Sequence, residues 1–291
     1  PMIKVRVPAT SANIGSGFDT LGLALTLYNT FECELSKKTK IFGCEEAFNN
    51  SDNLFLQSFR AVGKKLGREE GCSVTFKTSI PSTRGLGSSA SLLVGGAVCA
   101  NLLYGNVLSL EKIFQICCEF EGHPDNVAPS LYGGLCASTR GDKWETGILL
   151  KQTALNFTLL IPENQVSTHQ VREILPSTIS LKQAAENVGN VLTLVEGLRE
   201  GDMHKISLGV WDHLHEPYRK KLIPNYEQCK KICEAHGGVM VISGSGSSCM
   251  AISTQNNFSK VIEKEILSAF PSLQLIDCKM AEKGVETEML V

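Results

Sequence analysis

The chain lacks any apolar run close to the roughly 18–20 residues that a membrane-spanning helix needs. Its first residues also lack the basic and apolar regions of a secretion signal. It has no run of basic residues and a formal net charge of −2, so the electrostatic signature of a nucleic-acid-binding protein is missing. These absences predict a cytoplasmic protein that binds neither a membrane nor a nucleic acid.

The eleven cysteines include no Cys-x-x-Cys pair, the spacing that is typical of zinc and redox sites. Several of them lie inside apolar stretches, for example Cys99 and Cys136. Cys229 and Cys233 are one helical turn apart, but no histidine or cysteine cluster accompanies them. We therefore expect reduced cysteines that pack as small hydrophobic side chains.

A phosphate loop of the Walker type, with Gly-Lys-Ser/Thr, is also missing. Another stretch has the physical properties of a phosphate site. Residues 72–80 alternate as a half-buried strand does, and residues 88–103 are small and apolar on nearly every side, as in a buried helix. Between them, Gly85 and Gly87 allow a tight turn, and two serines open the helix, where free N–H groups favour an anion. The pattern predicts a phosphate cradle, although an ordinary serine-capped loop would look similar.

A second small-residue loop, at 243–248, reads Ser-Gly-Ser-Gly-Ser-Ser. Such a composition is common in linkers. Strand-like runs on both sides instead indicate a turn inside a domain, whose N–H groups could form an anion nest.

The stretch from Pro81 to Ala90 resembles the second motif of the GHMP kinases (galactose, homoserine, mevalonate and phosphomevalonate kinases), Pro-x-x-x-Gly-Leu-Gly-Ser-Ser-Ala. The opening loop, Pro8 to Leu25, resembles the first motif of that family, and residues 243–248 resemble the third. The resemblance thus spans residues 3–254 and implies a two-domain α+β fold.

A clean strand pattern from Leu155 to Ile161 places the domain change near residue 153. We expect an N-terminal, ribosomal-protein-like α+β domain that binds ATP over residues 1–153. Residues 154–291 alternate helices with a few strands, which suggests a C-terminal, ferredoxin-like α+β domain.

Four stretches resemble the homoserine kinases in particular: residues 8–19, residues 121–129, Ser167-Thr168 with Arg172, and residues 216–224. This resemblance implies that ATP, with Mg²⁺, phosphorylates the side-chain hydroxyl of L-homoserine to O-phospho-L-homoserine, a step towards threonine. It also suggests a homodimer.

The alternatives are a GHMP kinase for another small alcohol, such as mevalonate, and a catalytically inactive relative that binds a metabolite. A serine hydrolase is weaker, because the loop lacks Gly-x-Ser-x-Gly.

Homoserine is a zwitterion, so its pocket needs an anion for the ammonium and cations for the carboxylate. By resemblance, Asp19 and Asn13 take the ammonium, while Arg172 and Arg219 bind the carboxylate, which suits the planar fork of a guanidinium. The full set that the resemblance implies for the substrate is Asn13, Asp19, His123, Asn126, Thr168, Arg172 and Arg219.

The resemblance also implies a nucleotide site. Ser89 and Glu121, or alternatively Glu119, would hold Mg²⁺, and Asn53 would contact the adenine. The residues expected around the phosphates are Pro81, Arg84, Gly85, Leu86, Gly87, Ser88, Ser89, Ala90, Ser91, Gly244 and Gly246.

The expected catalytic residues are Ser89, Glu121, Asn126 and Arg172. Many relatives of the family carry an aspartate where this chain has Asn126, and an amide is a poor base. We therefore expect Asn126 to orient the substrate hydroxyl for direct attack on the γ-phosphate, since a loose transition state does not need early deprotonation. Asp125, next to it, is the alternative as a general base.

Overall fold

A computed structural model describes residues 1–290, except for the side chain of Thr168. Its strands are β1 (Met2–Ala12), β2 (Leu21–Ser36), β3 (Lys40–Phe42), β4 (Gly71–Lys77), β5 (Leu135–Arg140), β6 (Trp144–Leu150), β7 (Asn156–Ile161), β8 (Val239–Ile242), β9 (Cys249–Ser253), β10 (Gln274–Cys278) and β11 (Glu286–Leu290). Its helices are α1 (Leu54–Lys65), α2 (Ser88–Leu103), α3 (Leu110–Glu121), α4 (Val127–Tyr132), α5 (Thr168–Glu173), α6 (Leu181–Glu200), α7 (Met203–Gly209), α8 (Glu216–Arg219), α9 (Tyr226–Ala235) and α10 (Phe258–Ala269). Short 3₁₀ helices lie at Glu46–Phe48 and Lys220–Leu222.

The first sheet is built around β1 and β2, which pair antiparallel along almost their whole length. The order of its main path is β11-β1-β2-β4-β3, and β5 joins β2 to β6. Helix α2 packs against β1, because nearly all of its side chains are small or apolar and can be buried. Phe31 of β2, Phe55 of α1 and Phe76 of β4 meet in the core between the helices and this sheet.

The second sheet has the antiparallel order β10-β7-β9-β8. Helix α9 precedes β8, and α10 connects β9 to β10. A strand–helix–strand–strand–helix–strand order with this pairing is the ferredoxin-like arrangement. The predicted two-domain α+β fold is confirmed.

The C-terminal end of the chain returns to the first sheet. Strand β11 pairs antiparallel with β1, and Ala281 N donates to Ala24 O at 2.9 Å on the way. The sequence pattern did not indicate β11, because an edge strand with charged residues at Glu286 and Glu288 has no clear apolar alternation. The domain division at residue 153 stays a prediction. Strand β11 follows residue 153 in the chain but belongs to the sheet of the N-terminal half.

The two sheets meet where β1 ends. Ser11 Oγ lies 2.8 Å from Ser243 Oγ, and Gly244 N donates to Ala12 O at 3.1 Å. One apolar cluster contains residues of both sheets, including Leu23 and Phe157. The loop after β1 and the loop after β8 are therefore held side by side.

None of the helices that the structure describes combines the length and the hydropathy that crossing a bilayer requires. The eleven cysteines are free thiols, and all but Cys44 are buried. Burial raises the pKa of Cys136 and of Cys278 to about 12, so these thiols stay protonated and pack as apolar groups.

Candidate active site

A cavity of about 670 Å³ lies where the loops of the three sequence motifs meet. Its wall includes the opening loop at Asn13 and Asp19, the glycine turn before α2, and the loop at Gly244–Gly246. The N-terminal end of α1 and two arginines, Arg172 and Arg219, complete it. A cavity of this size between two domains is a typical small-molecule site.

The glycine turn before α2 has a conformation that only glycine accepts easily. Gly85 and Gly87 have φ values of +73° and +72°. A Cβ atom at Gly85 would lie 2.2 Å from Ser243 O, and one at Gly87 would lie 2.0 Å from Thr10 Oγ1. The turn therefore packs directly on the other two motif loops, and it leads into the free N–H groups at the start of the 16-residue helix α2.

The structure brings most of the predicted nucleotide residues to the cavity wall: Pro81, Gly85, Leu86, Gly87, Ser88, Ser89, Gly244, Gly246 and Asn53. The side chain of Arg84 binds elsewhere. Its Nε donates to Pro162 O at 3.0 Å and its Nη2 to Glu163 O at 2.7 Å, so it joins the turn to the segment after β7. Ala90 and Ser91 lie inside α2 and are buried, and Ser91 Oγ donates to Ser88 O at 2.6 Å.

Asn53 caps α1 at one end of the cavity. Its Oδ1 accepts from Phe55 N at 2.9 Å, and its Nδ2 donates to Phe48 O at 3.0 Å. An apolar wall that the sequence did not indicate lies around it, and Cys44, Phe48, Phe76, Ile80 and Leu92 contribute to this wall. Phe48, an aromatic residue shortly before the asparagine cap of α1, was the available signal. The aromatic and aliphatic side chains of this end can pack on the face of a nucleobase.

Ser89 and Glu121 contact each other at the end of the cavity beside the glycine turn. Ser89 Oγ contacts both carboxylate oxygens of Glu121, at 2.8 and 3.0 Å. Glu119 is exposed instead, because two residues along a helix are roughly 200° apart around its axis. Burial raises the pKa of Glu121, and the charge of His123 and the hydroxyl of Ser89 offset this effect only in part.

A hydroxyl and a carboxylate are ligands that Mg²⁺ accepts, and Mg²⁺ needs few protein ligands because it keeps waters and phosphate oxygens. A cation beside Glu121 would also compensate the half-buried carboxylate. The donor set therefore fits Mg²⁺. Within residues 1–290 no larger group of three or more His, Cys, Asp or Glu side chains forms a metal cluster.

Two arginines and one aspartate form the opposite end of the cavity. Arg172 binds Asp19 through two hydrogen bonds, at 2.8 and 3.2 Å. Arg219 is 2% exposed, and its Nε donates to Val171 O at 3.2 Å. Among the described residues, no carboxylate lies within 4.0 Å of Arg219. Burial and the neighbouring Arg172 lower the pKa of Arg219 to about 10, although the more distant charges of Asp19, Asp125 and Asp212 act in the opposite direction. This end therefore carries a buried cation that has no directly bonded carboxylate among the described residues.

Asn13 shapes the opening loop. Its Oδ1 accepts from Asp19 N and its Nδ2 donates to Gly244 O, both at 2.9 Å. Its own φ of +74° lies in the left-handed region, which asparagine tolerates better than most residues. The predicted contact of Thr168 with the substrate lies outside the described side chains.

His123, Asp125 and Asn126 form a polar cluster on the cavity wall. Asp125 Oδ1 lies 2.6 Å from His123 Nδ1 and accepts from Asn126 N at 3.1 Å. Burial lowers the pKa of His123, but the hydrogen bond and the charge of Asp125 raise it above its usual value. Asn126 Oδ1 accepts from Thr10 Oγ1 at 2.7 Å. The pairing of His123 with Asp125 was not predicted from the sequence. Their spacing of two residues was the only signal that could have suggested it.

Three features lie together in this site. They are a glycine turn that leads into a buried helix, an adjacent hydroxyl–carboxylate pair, and a second glycine loop from the C-terminal half of the chain. Together with the fold, they define a small-molecule kinase of the GHMP type. The model of the GHMP kinases N terminal domain matches residues 53–134, and the model of the GHMP kinases C terminal matches residues 194–264. The fold and the family resemblance predicted from the motifs are confirmed.

The similarity is higher within one branch of this superfamily. A homoserine kinase of Clostridium botulinum (strain 657 / Type Ba4) is 40% identical over 268 residues, which cover 90% of each chain. One of Caldicellulosiruptor bescii is 36% identical over 282 residues, 94% of this chain and 91% of the relative. The crystal structure of homoserine kinase from Cytophaga hutchinsonii superposes with a TM-score of 0.87 at 31% identity, covering 99% of this chain and 97% of that one. The chain belongs to the homoserine kinases.

Proposed function

We propose that this chain transfers the γ-phosphoryl group of ATP to the side-chain hydroxyl of L-homoserine. The observation that carries the proposal is the buried guanidinium of Arg219, which faces the cavity without a carboxylate partner among the described residues. A buried charge is costly unless it is paired, so the ligand is expected to supply the anion.

The charges at this end match an α-amino acid. Arg172 and Arg219 both lie near the ring of Phe18, with Cζ to ring-centroid distances of 6.0 and 5.3 Å. Asp19, the next residue, is beside them and is partly exposed. A substrate carboxylate between the two guanidinium groups and an ammonium on Asp19 would place each charge of the substrate beside a side chain of opposite sign. Mevalonate has no ammonium, so it would have no use for Asp19.

We propose that the nucleotide binds with its phosphates beside the glycine turn before α2. The N–H groups at the start of α2 and the glycine turn would bind the β- and γ-phosphates, with the nucleobase in the apolar end near Phe48. Ser89 and Glu121 would hold Mg²⁺. When bound, the ion would neutralise part of the charge on the transferring phosphate.

Asn126 and Asp125 have different roles in this proposal. With its Oδ1 already bonded to Thr10, Asn126 can donate from Nδ2 to the oxygen of the substrate hydroxyl and orient it. Asp125 is 3% exposed, and its Oδ1 is shared by His123 and Asn126 N. In this scheme the hydroxyl oxygen forms a bond to the γ-phosphorus as the bond from that phosphorus to the leaving ADP oxygen breaks, and the hydroxyl proton passes to a phosphoryl oxygen rather than to a dedicated base. Asp125 keeps its neighbours in place.

We expect Asp125→Asn to keep kcat within about tenfold of the unaltered enzyme, whereas loss of a general base costs roughly 10²- to 10⁴-fold. Asn126→Asp should lower kcat more, by at least about tenfold, because a carboxylate cannot donate to the hydroxyl oxygen. Steady-state turnover of both variants measures this. A drop of 10²-fold or more in Asp125→Asn, with homoserine binding intact, would show that the base-free scheme is wrong.

The proposed activity itself is tested by ADP release in a coupled assay with Mg-ATP and L-homoserine, mevalonate or no acceptor. Turnover that depends on homoserine supports the proposal. Turnover only with mevalonate would leave the kinase fold and reject the zwitterion pocket. ATP binding without turnover of any acceptor would favour an inactive metabolite-binding relative.

We also propose that the enzyme acts in the cytoplasm as a homodimer, as its family suggests. Helix α6 presents Leu181, Val188 and Leu192 to solvent at spacings of seven and four residues, so they share one face. A second copy of the chain would cover this apolar face. A sedimentation measurement that gives the mass of one chain would contradict it.

A further inference from the structure

His215 is completely buried between the opening loop and the buried guanidinium. Its Nε2 lies 2.9 Å from Gly15 O, and its Nδ1 lies 3.3 Å from Arg219 Nη1. Its ring stacks on Phe18, with centroids 5.2 Å apart and an interplanar angle of 21°. The imidazole therefore contacts the loop that carries Asp19 on one side and the guanidinium on the other.

The two partners determine the protonation state of the ring. A carbonyl oxygen only accepts, so Nε2 carries the proton and donates to Gly15 O. A guanidinium only donates, so Nδ1 must be unprotonated and accept from Arg219. A protonated imidazole would place an N–H against another N–H and a second positive charge beside Arg219. Burial lowers the pKa of His215, and the charge of Arg219 lowers it further, against the opposing effect of Asp212.

The backbone around His215 is fixed by hydrogen bonds to the side chain of Asp212. Asp212 Oδ2 accepts from His215 N at 2.7 Å and from Glu216 N at 2.8 Å, and Oδ1 accepts from Leu214 N at 3.0 Å. Helix α8, which begins at Glu216 and ends at Arg219, thus starts from a position fixed by Asp212. The carboxylate of Asp212 lies 3.6 Å from His215 Nε2, so it faces the same side of the ring as Gly15.

We propose that His215 is a positioning residue for substrate selection, which acts through Arg219. As a neutral Nε2–H tautomer, it sets the position of the Arg219 guanidinium relative to the loop that carries Asp19. Since Asp19 and Arg219 are the groups proposed to bind the ammonium and the carboxylate, His215 determines how well the enzyme discriminates in favour of an α-amino acid. The inference rests on the proposed function.

The test compares two substitutions that each keep one of the two hydrogen-bonding functions of the imidazole. His215→Asn places Oδ1 near the position of Nδ1 and can still accept from Arg219, but it does not reach Gly15. His215→Gln can reach Gly15 with Nε2, but it has no acceptor at the position of Nδ1. His236→Gln is the matched control, because His236 lies on the surface and pairs with Glu265. Each variant is assayed with L-homoserine and with 3-aminopropan-1-ol, which is homoserine without its carboxylate.

We expect His215→Gln to raise KM for homoserine roughly ten- to hundredfold, the usual effect of losing a hydrogen bond to a charged group, with KM for ATP unchanged. The preference for homoserine over 3-aminopropan-1-ol, measured as the ratio of kcat/KM values, should fall by about the same factor. His215→Asn should stay within about threefold of the unaltered enzyme, the small end of hydrogen-bond effects.

Other results overturn the inference. If both variants behave like the unaltered enzyme, His215 does not position Arg219. If either variant weakens both acceptors and ATP equally, the role of His215 is general stability. If both variants lose the preference equally, acceptance at Nδ1 is not the controlling contact. If the unaltered enzyme does not phosphorylate homoserine, the proposed function fails, independently of these variants.

If neither variant folds, an NMR measurement on the unaltered protein tests whether His215 has the proposed tautomer and responds to the substrate. The imidazole ¹⁵N shifts of His215 should report a neutral Nε2–H tautomer, and saturating L-homoserine should shift its Nδ1 resonance. A protonated ring, an Nδ1–H tautomer or an Nδ1 resonance that homoserine leaves unchanged would each overturn the inference.

Discussion

Glu121→Gln should lower kcat for homoserine-dependent ATP turnover by roughly 10²- to 10³-fold, the usual effect of removing one group that stabilises transition-state charge. The carboxylate contacts Ser89 at 2.8 and 3.0 Å and is half-buried. A glutamine of nearly the same shape keeps that packing but brings no negative charge to a magnesium ion. Turnover measured over a range of Mg²⁺ concentrations should therefore also require more Mg²⁺ for half-maximal rate.

Glu119→Gln is the matched control for this prediction. Glu119 lies two residues earlier in α3 and is exposed, so its loss should leave kcat and the Mg²⁺ requirement unchanged. The pair also decides between the two glutamates that the sequence left open as metal ligands. A large loss in Glu119→Gln together with a normal Glu121→Gln would show that the assignment is wrong.

Arg219→Met should lower kcat/KM for homoserine by roughly 10²- to 10³-fold, because a bidentate, charged contact to the substrate carboxylate is lost. Its effect on stability should be small, because the removed desolvation cost offsets the loss of the hydrogen bonds to Val171 O and His215 Nδ1. The guanidinium is buried without a carboxylate partner among the described residues, and replacing such a charge by an apolar side chain of similar size removes a desolvation cost. Kinetics with homoserine and thermal unfolding without substrate measure the two effects.

The control for this variant is Arg199→Met, at an exposed position where the arginine pairs with Glu196. Exposed ion pairs contribute little, so we expect normal kinetics and a nearly unchanged Tm. If Arg219→Met lowers Tm strongly while kcat/KM for homoserine stays normal, the arginine is structural and the carboxylate site lies elsewhere.

Much of the site could be predicted because its chemistry is local in the chain. The turn at Gly85 and Gly87 was identified from composition, and both residues have the positive φ that the turn requires. The strand before it and the buried helix after it were identified from periodicity and were found as β4 and α2. The placement of Arg84 was less predictable, because a long side chain can reach away from its own loop, and here it binds Pro162 O.

Contacts between distant parts of the chain could not be predicted from spacing. Asp19 and Arg172 were each expected to bind the substrate, but their mutual ion pair joins residues 153 positions apart. The neighbours of His215 along the chain do not indicate that it is buried, because the residues that cover it, Phe18 and Gly15, come from the opening loop. Strand β11 was missed because its partner, β1, is at the other end of the chain.

The sequence by itself therefore determined the fold class, the glycine turn before α2 and the residue types of the proposed homoserine and ATP sites, since turns, helices and strands depend on neighbouring residues. The tertiary structure alone decided that Glu121 rather than Glu119 contacts Ser89, that Arg219 is a buried cation, and that His215 connects it to the opening loop. These features depend on which surfaces pack together. Burial and pairing then set the charge state of each group, and neither can be read from its position along the chain.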